Sequence, residues 1–302
     1  MFLKGKRAFE GNAAMRLRSL FTVILLIALA FAVYWSYTRI INPPLSAALA
    51  DGEAAVRFID VGQGDSVLIQ TTQGCVLIDG GDMDMGGRVV GYLRDAGIVD
   101  ITYVIATHPH SDHIGGLIAV LGEFPVGALI MPNVAHTSVT FERFLDVIEQ
   151  RGIPLREPVI GDTFSVGKAE FTVIAPNSDN YQSLNDYSVS LRMVLGATSF
   201  IFTGDAETTS ESEMTRHYLS SDVLFVGHHG SSTSTTQVFL DAVSPSIAVI
   251  SVGSKNSYNH PNDGVLKRLQ DAGVKVYRTD RNGNITIITD GSSLSVSTER
   301  AS

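Results

Sequence analysis

Thr107-His108-Pro109-His110-Ser111-Asp112-His113-Ile114-Gly115-Gly116 sets three histidines and an aspartate within six residues. The residues before it, Ile101–Ala106, read as a continuous apolar strand, which predicts burial on both faces. The ligand-type residues therefore stand where a buried strand ends. In an extended loop alternate residues face the same way, so His108 and His110 can converge on one cation. Asp112 and His113 follow the turn into a helix predicted from about Ile114, and can aim at a second cation nearby. Neutral imidazole with carboxylate suits zinc, iron or manganese. Gly115 and Gly116 let the start of that helix pack close to the site. A solvated polar loop explains one histidine here far better than it explains four ligand-type residues at this spacing.

Upstream, Ala55–Val61, Ser66–Thr71 and Cys75–Asp79 read as strands separated by Gly-rich turns, and Gly86–Ala96 as a helix closed by Gly97. Downstream come a strand near Ala128–Met131 and a helix over Val139–Arg151. The second half repeats the grammar. Strands are predicted at Glu170–Ile174, Ser188–Leu195, Ser199–Thr203, Val223–Val226, Ile247–Val252 and Val274–Tyr277, and helices at Glu207–Leu219, Thr236–Ala242 and Asp263–Ala272. Two such halves predict two mixed sheets sandwiched between helices over residues 53–290. Residues 291–302 read as a polar tail beyond one last edge strand.

The N-terminal region has a different composition. Residues 19–38 carry no charge, and as a helix they reach roughly the 30 Å of a bilayer core. Lys4, Lys6, Arg7, Arg16 and Arg18 lie in the basic segment 1–18, and Tyr34, Trp35 and Tyr37 cluster at the far end of the run. This predicts a single-pass membrane helix with a cytoplasmic N-terminus and the following domain outside the cytoplasm. Residues 39–52 form a linker containing Asn42-Pro43-Pro44. A cleaved leader is the rival reading, but Ala48-Leu49-Ala50, its best cleavage site, lies well beyond the apolar run. Cys75 is the only cysteine and reads as a small core residue. The net charge of −9 argues against a broad electrostatic grip on nucleic acid. It leaves a nuclease open, because bound dications offset negative charge where a phosphate sits.

The HxHxDH motif resembles the metallo-β-lactamase superfamily. Phe58-Ile59-Asp60-Val61-Gly62-Gln63-Gly64-Asp65, Ile78-Asp79-Gly80-Gly81, Phe202-Thr203-Gly204-Asp205 and His228-His229-Gly230-Ser231 are similar to the C-terminal hydrolase domain of ComEC competence proteins. The multi-span channel of those proteins has no counterpart here, which puts a DNA-transport role in doubt. The resemblance implies a four-layer αββα sandwich with two divalent metal ions, zinc or manganese. His108, His110, Asp112 and His113 are then ligands, and Asp205 is the carboxylate that bridges the two metals. The superfamily places one more metal histidine at His228-His229. His229 is favoured, with His228 turned toward substrate or a supporting partner, since adjacent residues face opposite ways. Many members carry a further histidine before the bridging aspartate, where this chain has Asn185, a weak ligand or a group that orients water. His136 reads as a surface residue.

The same resemblance implies metal-assisted hydrolysis of phosphodiesters, with nucleic acid as a candidate partner. Asp112 or Asp205 is expected to position the attacking hydroxide, and His260 in its turn-rich loop to donate a proton or hold a phosphate. Asp65 is expected to serve the Gly-rich turn or to support a ligand histidine, Asp79 to be structural or to support the centre rather than act in catalysis, and Ser231 to support the centre or touch substrate. Asp60 reads as turn chemistry. Hydrolysis of another ester or amide, such as a lactone or β-lactam, is the alternative chemistry. A membrane-tethered binding module without catalysis is the alternative class.

Overall fold

The computed structural model describes residues 49–301, Thr22 and residues 24–30, which are helical. The predicted membrane span at 19–38, its basic flank and most of the linker otherwise lie outside the described residues. Among those described, no helix is long and apolar enough to cross a membrane.

Residues 54–298 carry the sandwich. In the first sheet, β1 (Ala54–Phe58), β2 (Val67–Thr71) and β3 (Gly74–Ile78) form an antiparallel meander. The chain then changes mode. Strands β4 (Ile101–Ile105), β5 (Val126–Ile130) and β6 (Leu155–Arg156) join in parallel. Parallel neighbours need a crossover. Here the crossovers are α1 (Gly86–Asp95), the pair α2 (Ser111–Ile114) and α3 (Leu117–Glu123), and α4 (Val139–Arg151). The second sheet follows the same plan. Strands β7 (Thr163–Val166), β8 (Ala169–Ala175), β9 (Ser190–Leu195) and β10 (Thr198–Phe202) are antiparallel. Strands β11 (Val223–Phe225), β12 (Ile247–Ile250) and β13 (Lys275–Arg278) add in parallel through α5 (Thr208–Met214), α6 (Gln237–Val243) and α7 (Asp263–Asp271). Strands β14 (Ile285–Thr289) and β15 (Leu294–Thr298) return to the β1 edge of the first sheet.

Alternation along the strands builds the layers. Phe200, Phe202 and Phe225 point between the sheets with Phe58, Ile69, Val76 and Phe171. The Phe58 and Phe225 rings lie 5.2 Å apart, centre to centre. Ile201, Leu224 and Ile250 point the other way, into a second core with Met214, Phe239, Leu240 and Leu269 from the helices. Burial on both faces explains why these strands read as unbroken apolar runs.

Several predicted boundaries move. The polar tail contains a strand, β15, because Leu294 and Val296 recur at alternate positions and pack against the core. The helix expected from Ile114 is broken at Gly115-Gly116, and that expected over Glu207–Leu219 stops at Met214. The short strands β6 and β7 had no signal long enough to read. The break at Gly116 has a steric cause. A Cβ there would lie 1.9 Å from the Gly80 carbonyl oxygen, so only glycine lets the two backbones meet.

Candidate metal centre

Every side chain of the centre leaves the carboxyl end of a strand: Asp79 after β3, His108 to His113 after β4, Asp205 after β10, His228 and His229 after β11, and His260 in the loop after β12. Side chains converge there because both sheets change from antiparallel to parallel pairing at β3/β4 and β10/β11. The strand order runs on without reversal through both points, and the site forms where these neighbouring parallel strands end.

Supporting carboxylates set the ring orientations. Asp79, fully buried and left-handed at φ 56°, accepts hydrogen bonds from the Thr107 amide (2.9 Å) and hydroxyl (2.7 Å) and lies 2.8 Å from His113 Nδ1. Asp65 Oδ1 lies 3.2 Å from His229 Nδ1, which also faces the Ser251 carbonyl at 3.1 Å. Since the Thr107 hydroxyl donates to Asp79, it accepts from His108 Nδ1 at 3.1 Å. Each ring thus has Nδ1 engaged behind it and Nε2 turned inward, the arrangement that fixes the tautomer of a ligand histidine. Asp65 thus stands behind His229 and Asp79 behind His113. Asp60 turns away and pairs with Arg300 at 2.9 Å.

The inward atoms surround Asp205, which is 2% exposed. Its Oδ2 lies 3.3 Å from His113 Nε2 and 3.7 Å from both His108 Nε2 and His228 Nε2. Its Oδ1 lies 3.8 Å from His229 Nε2. Asp112 Oδ2 is 3.3 Å from His229 Nε2 and 3.9 Å from His113 Nε2. His108 Nε2 and His110 Nδ1 meet at 2.9 Å. Donors about 2.0–2.2 Å from one tetrahedral ion stand roughly 3.4 Å apart, so most of these separations suit a shared cation better than a direct hydrogen bond. His113 Nε2, His229 Nε2 and Asp205 Oδ1 are buried without a hydrogen-bond partner. Orphaned donor-set atoms that face one another fit divalent ions. His108, His113 and Asp205 would share one group of donors, and Asp112, His113 and His229 another.

Charges respond to this crowding. Burial opposes a proton on His113 or His229, but Asp205 outweighs it, helped by Asp79 and Asp112 at His113 and by Asp65 at His229. Both pKa values stand well above the ordinary imidazole value. Burial and the charge on His113 push His108 and His110 down. Burial also opposes ionisation of Asp112 and Asp205, yet the charged histidines hold both below the ordinary carboxylate range. In the metal-free protein, protons on His113 and His229 therefore do the neutralising that a cation would do. A divalent ion must displace those protons, so its binding releases them and weakens as pH falls. Titration calorimetry in buffers of different ionisation enthalpy should show this release. Metal affinity that stays flat from neutral pH to pH 5 would contradict it.

The centre floors a cleft of about 450 Å³, lined also by Gln63, His136, Asn185, Tyr258 and His260. Two expectations change. His136 is not a free surface residue. Its ring stands edge-on to His110 at 5.9 Å, and Ser138, the cap of α4, lies 2.8 Å from its Nδ1. His228 does not oppose His229. Both are left-handed (φ 50° and 53°), a conformation that costs a non-glycine residue about 1–2 kcal/mol, and the turn brings both rings to Asp205. Ser231 bonds Thr233 at 3.0 Å and does not line the cleft. Asn185 Nδ2 bonds Glu207 at 3.3 Å, while its Oδ1 is buried without a partner. Burial, with His228 and His229 nearby, pushes His260 down to about 4, so its ring is neutral at pH 7. Glu207, which also bonds Thr233 at 3.0 Å and faces His228, was not singled out in the sequence, where it reads as an ordinary helix-start acid.

Residues 59–254 match the metallo-beta-lactamase superfamily. The chain is 34% identical over 253 residues to ComE operon protein 3 of Bacillus subtilis (strain 168), covering 77% of this chain and 33% of that protein. It is 35% identical over 240 residues to competence protein ComA of Neisseria gonorrhoeae, covering 78% and 32%. It thus spans about a third of the length of these curated relatives. Among solved structures, the metallo-beta-lactamase fold protein YhfI from Bacillus subtilis superposes with a TM-score of 0.51 at 13% identity, covering 78% of this chain and 100% of that one. CmlA, a diiron beta-hydroxylase from Streptomyces venezuelae, gives 0.51 at 15% identity, with 74% and 52% covered. At these identities the likeness is one of fold.

Proposed function

We propose that this chain, which belongs to the metallo-beta-lactamase superfamily and is related to competence proteins, is a metal-dependent phosphodiester hydrolase tethered to a membrane. The observation that carries the hydrolase reading is the ring of partnerless, inward-facing imidazole and carboxylate atoms around Asp205 at the floor of an open cleft. Divalent ions of the zinc or manganese type, held there, would lower the pKa of a water and polarise a substrate oxygen. The protein's own groups do the rest. Asp112, 30% exposed at the cleft wall, accepts a hydrogen bond from the attacking water and orients it. The buried Asn185 Oδ1 offers a second acceptor in the lining of the cleft. His260 stands at the rim with Nδ1 buried and unpaired. Its ring, kept neutral chiefly by burial, can donate a ring N–H hydrogen bond to a phosphate oxygen.

The phosphodiester class rests on the relation to competence proteins and on one feature of the rim. Tyr258 is 65% exposed and lies over His260 with ring centres 5.7 Å apart, a face on which a nucleobase can stack. With a net charge of −9, binding of a polyanion is local, through the metals and rim groups. Salt dependence should therefore be shallow. The test is manganese- or zinc-reconstituted cleavage of single-stranded DNA and bis-(p-nitrophenyl) phosphate, beside a lactone and a β-lactam. Turnover of the lactone or lactam with both phosphodiesters untouched would move the protein to the other chemistry.

The tether rests on the uncharged run 19–38 and the basic residues before it. A periplasmic-type reporter fused after Ser302 should be active. Activity of a cytoplasm-only reporter at that position would reverse the orientation.

A further inference from the structure

We propose that Gln63 and Tyr258 form a nucleoside subsite in the cleft, in which the Gln63 side-chain amide donates to a carbonyl oxygen of the base and Asn256 holds the Tyr258 ring in place for stacking. This rests on the phosphodiester reading above and adds the part of the diester that the protein recognises.

Gln63 lies in the turn between β1 and β2, flanked by Gly62 (φ 71°) and Gly64 (φ 132°). The turn has little room to move. A Cβ at Gly64 would lie 2.3 Å from the Asp112 carbonyl oxygen, and one at Gly253 would lie 2.9 Å from the Gln63 amide nitrogen. The Ser251 hydroxyl donates to the Gly64 carbonyl at 2.7 Å. The turn is therefore pressed between the motif loop of the first sheet and the end of β12 in the second. The Gln63 side chain lines the cleft, and its Oε1 accepts the Gly253 amide at 3.2 Å. A main-chain N–H can only donate, so this contact fixes which way round the side-chain amide sits. Its Nε2, with two N–H groups, has no hydrogen-bond partner among the described residues. Gln63 thus offers the cleft a neutral donor whose acceptor is already engaged.

Gly253 joins this donor to the arm that carries Tyr258. Its carbonyl accepts Asn256 Nδ2 at 2.8 Å, and the same Nδ2 donates to the His260 carbonyl at 2.8 Å. Asn256 Oδ1 accepts the Tyr258 amide at 3.2 Å and the His260 amide at 3.0 Å. One side chain therefore uses both its N–H groups and its oxygen to brace residues 253–260. The braced arm presents the exposed Tyr258 ring, which lies over His260 with 25° between the ring planes. An exposed aromatic face takes a flat ring by stacking, whatever its sequence. A donor that cannot accept selects a ligand with carbonyl oxygens. A nucleobase such as thymine satisfies both, and an alkyl group satisfies neither.

The experiment compares two diesters with the same leaving group, thymidine 5′-(p-nitrophenyl phosphate) and ethyl p-nitrophenyl phosphate, on the zinc-reconstituted full chain. The wild type should prefer the thymidine diester in kcat/KM, and the preference should be carried by KM. Tyr258→Ala should cut the preference by on the order of 10-fold. Gln63→Leu should cut it by about 5-fold, and so should Asn256→Asp, which keeps the acceptor and loses both donors. Tyr258→Phe keeps the stacking face and should keep the preference. A ratio of two rates on one sample does not depend on how much of a variant is folded. Saturation-transfer NMR of thymidine on the same proteins reads binding without turnover. A preference that survives Gln63→Leu, or both diesters slowed alike by it, would overturn the subsite while leaving the hydrolase standing. Should the wild type cleave neither diester, the phosphodiester reading falls separately, and thymidine binding that neither Gln63→Leu nor Tyr258→Ala weakens would overturn the subsite as well.

Discussion

Asp205→Asn should reduce the metal content from about two ions per chain to one weakly held ion or none, and should slow phosphodiester cleavage by on the order of 10³-fold. Among the described residues, Asp205 is the carboxylate whose two oxygens face histidines of both donor groups, with Oδ2 toward His108, His113 and His228 and Oδ1 toward His229. Two dications a few ångströms apart repel strongly, and a buried anion between them offsets that repulsion. Asparagine keeps the volume and one acceptor but removes the charge. The substitution also removes the main attraction that keeps protons on His113 and His229, so their pKa values fall toward the ordinary one. Elemental analysis after reconstitution checks the first part and the cleavage assay the second. Two ions retained at wild-type affinity would mean that Asp205 is an ordinary strand-end aspartate.

The largest effect on folding is expected from Asp79→Ala. Asp79 is wholly buried and meets three groups, the Thr107 amide and hydroxyl and His113 Nδ1. Removing one partner of a buried ion pair strands the other, at a cost of about 3–5 kcal/mol. Part of any loss comes from placing alanine at φ 56°, a strain of about 1–2 kcal/mol. Asp79→Gly relieves that strain and isolates the hydrogen bonds. Urea unfolding of the metal-free protein gives the comparison. Asp79→Gly within ~0.5 kcal/mol of wild type would show that Asp79 does not hold the motif in place.

The parts of this site that could be read in advance are those carried by local pattern. The buried strand before His108 announced itself by its hydrophobic run, and the close packing at Gly115-Gly116 by residue type, though the break in the helix there did not. Nor did His136 or Glu207. His136 lies 26 residues beyond His110 in a loop without ligand-type neighbours, and it reaches the cleft only because β5 lies beside β4. Glu207 gains its meaning from His228 and Asn185, which arrive from other strand ends. The orientation of His228 was misread for a different reason. Opposed facing of adjacent residues holds for extended chain, and nothing in His228-His229 itself announces two left-handed residues in a row. Strand β15 was hidden because its outward positions, Ser295 and Ser297, are small and polar, leaving only Leu294 and Val296 to mark it.

The donors come from both halves of the chain. His108, His110, Asp112 and His113 leave the first sheet, and Asp205, His228 and His229 leave the second. Neither half holds a complete set, since the first lacks the carboxylate that faces both groups and the second lacks the HxHxDH cluster. The sandwich is therefore indivisible as a unit of inheritance. A gene fragment ending between β6 and β7 would encode only part of the donor set, so the centre can pass between genes only if the strand ends of both sheets move together.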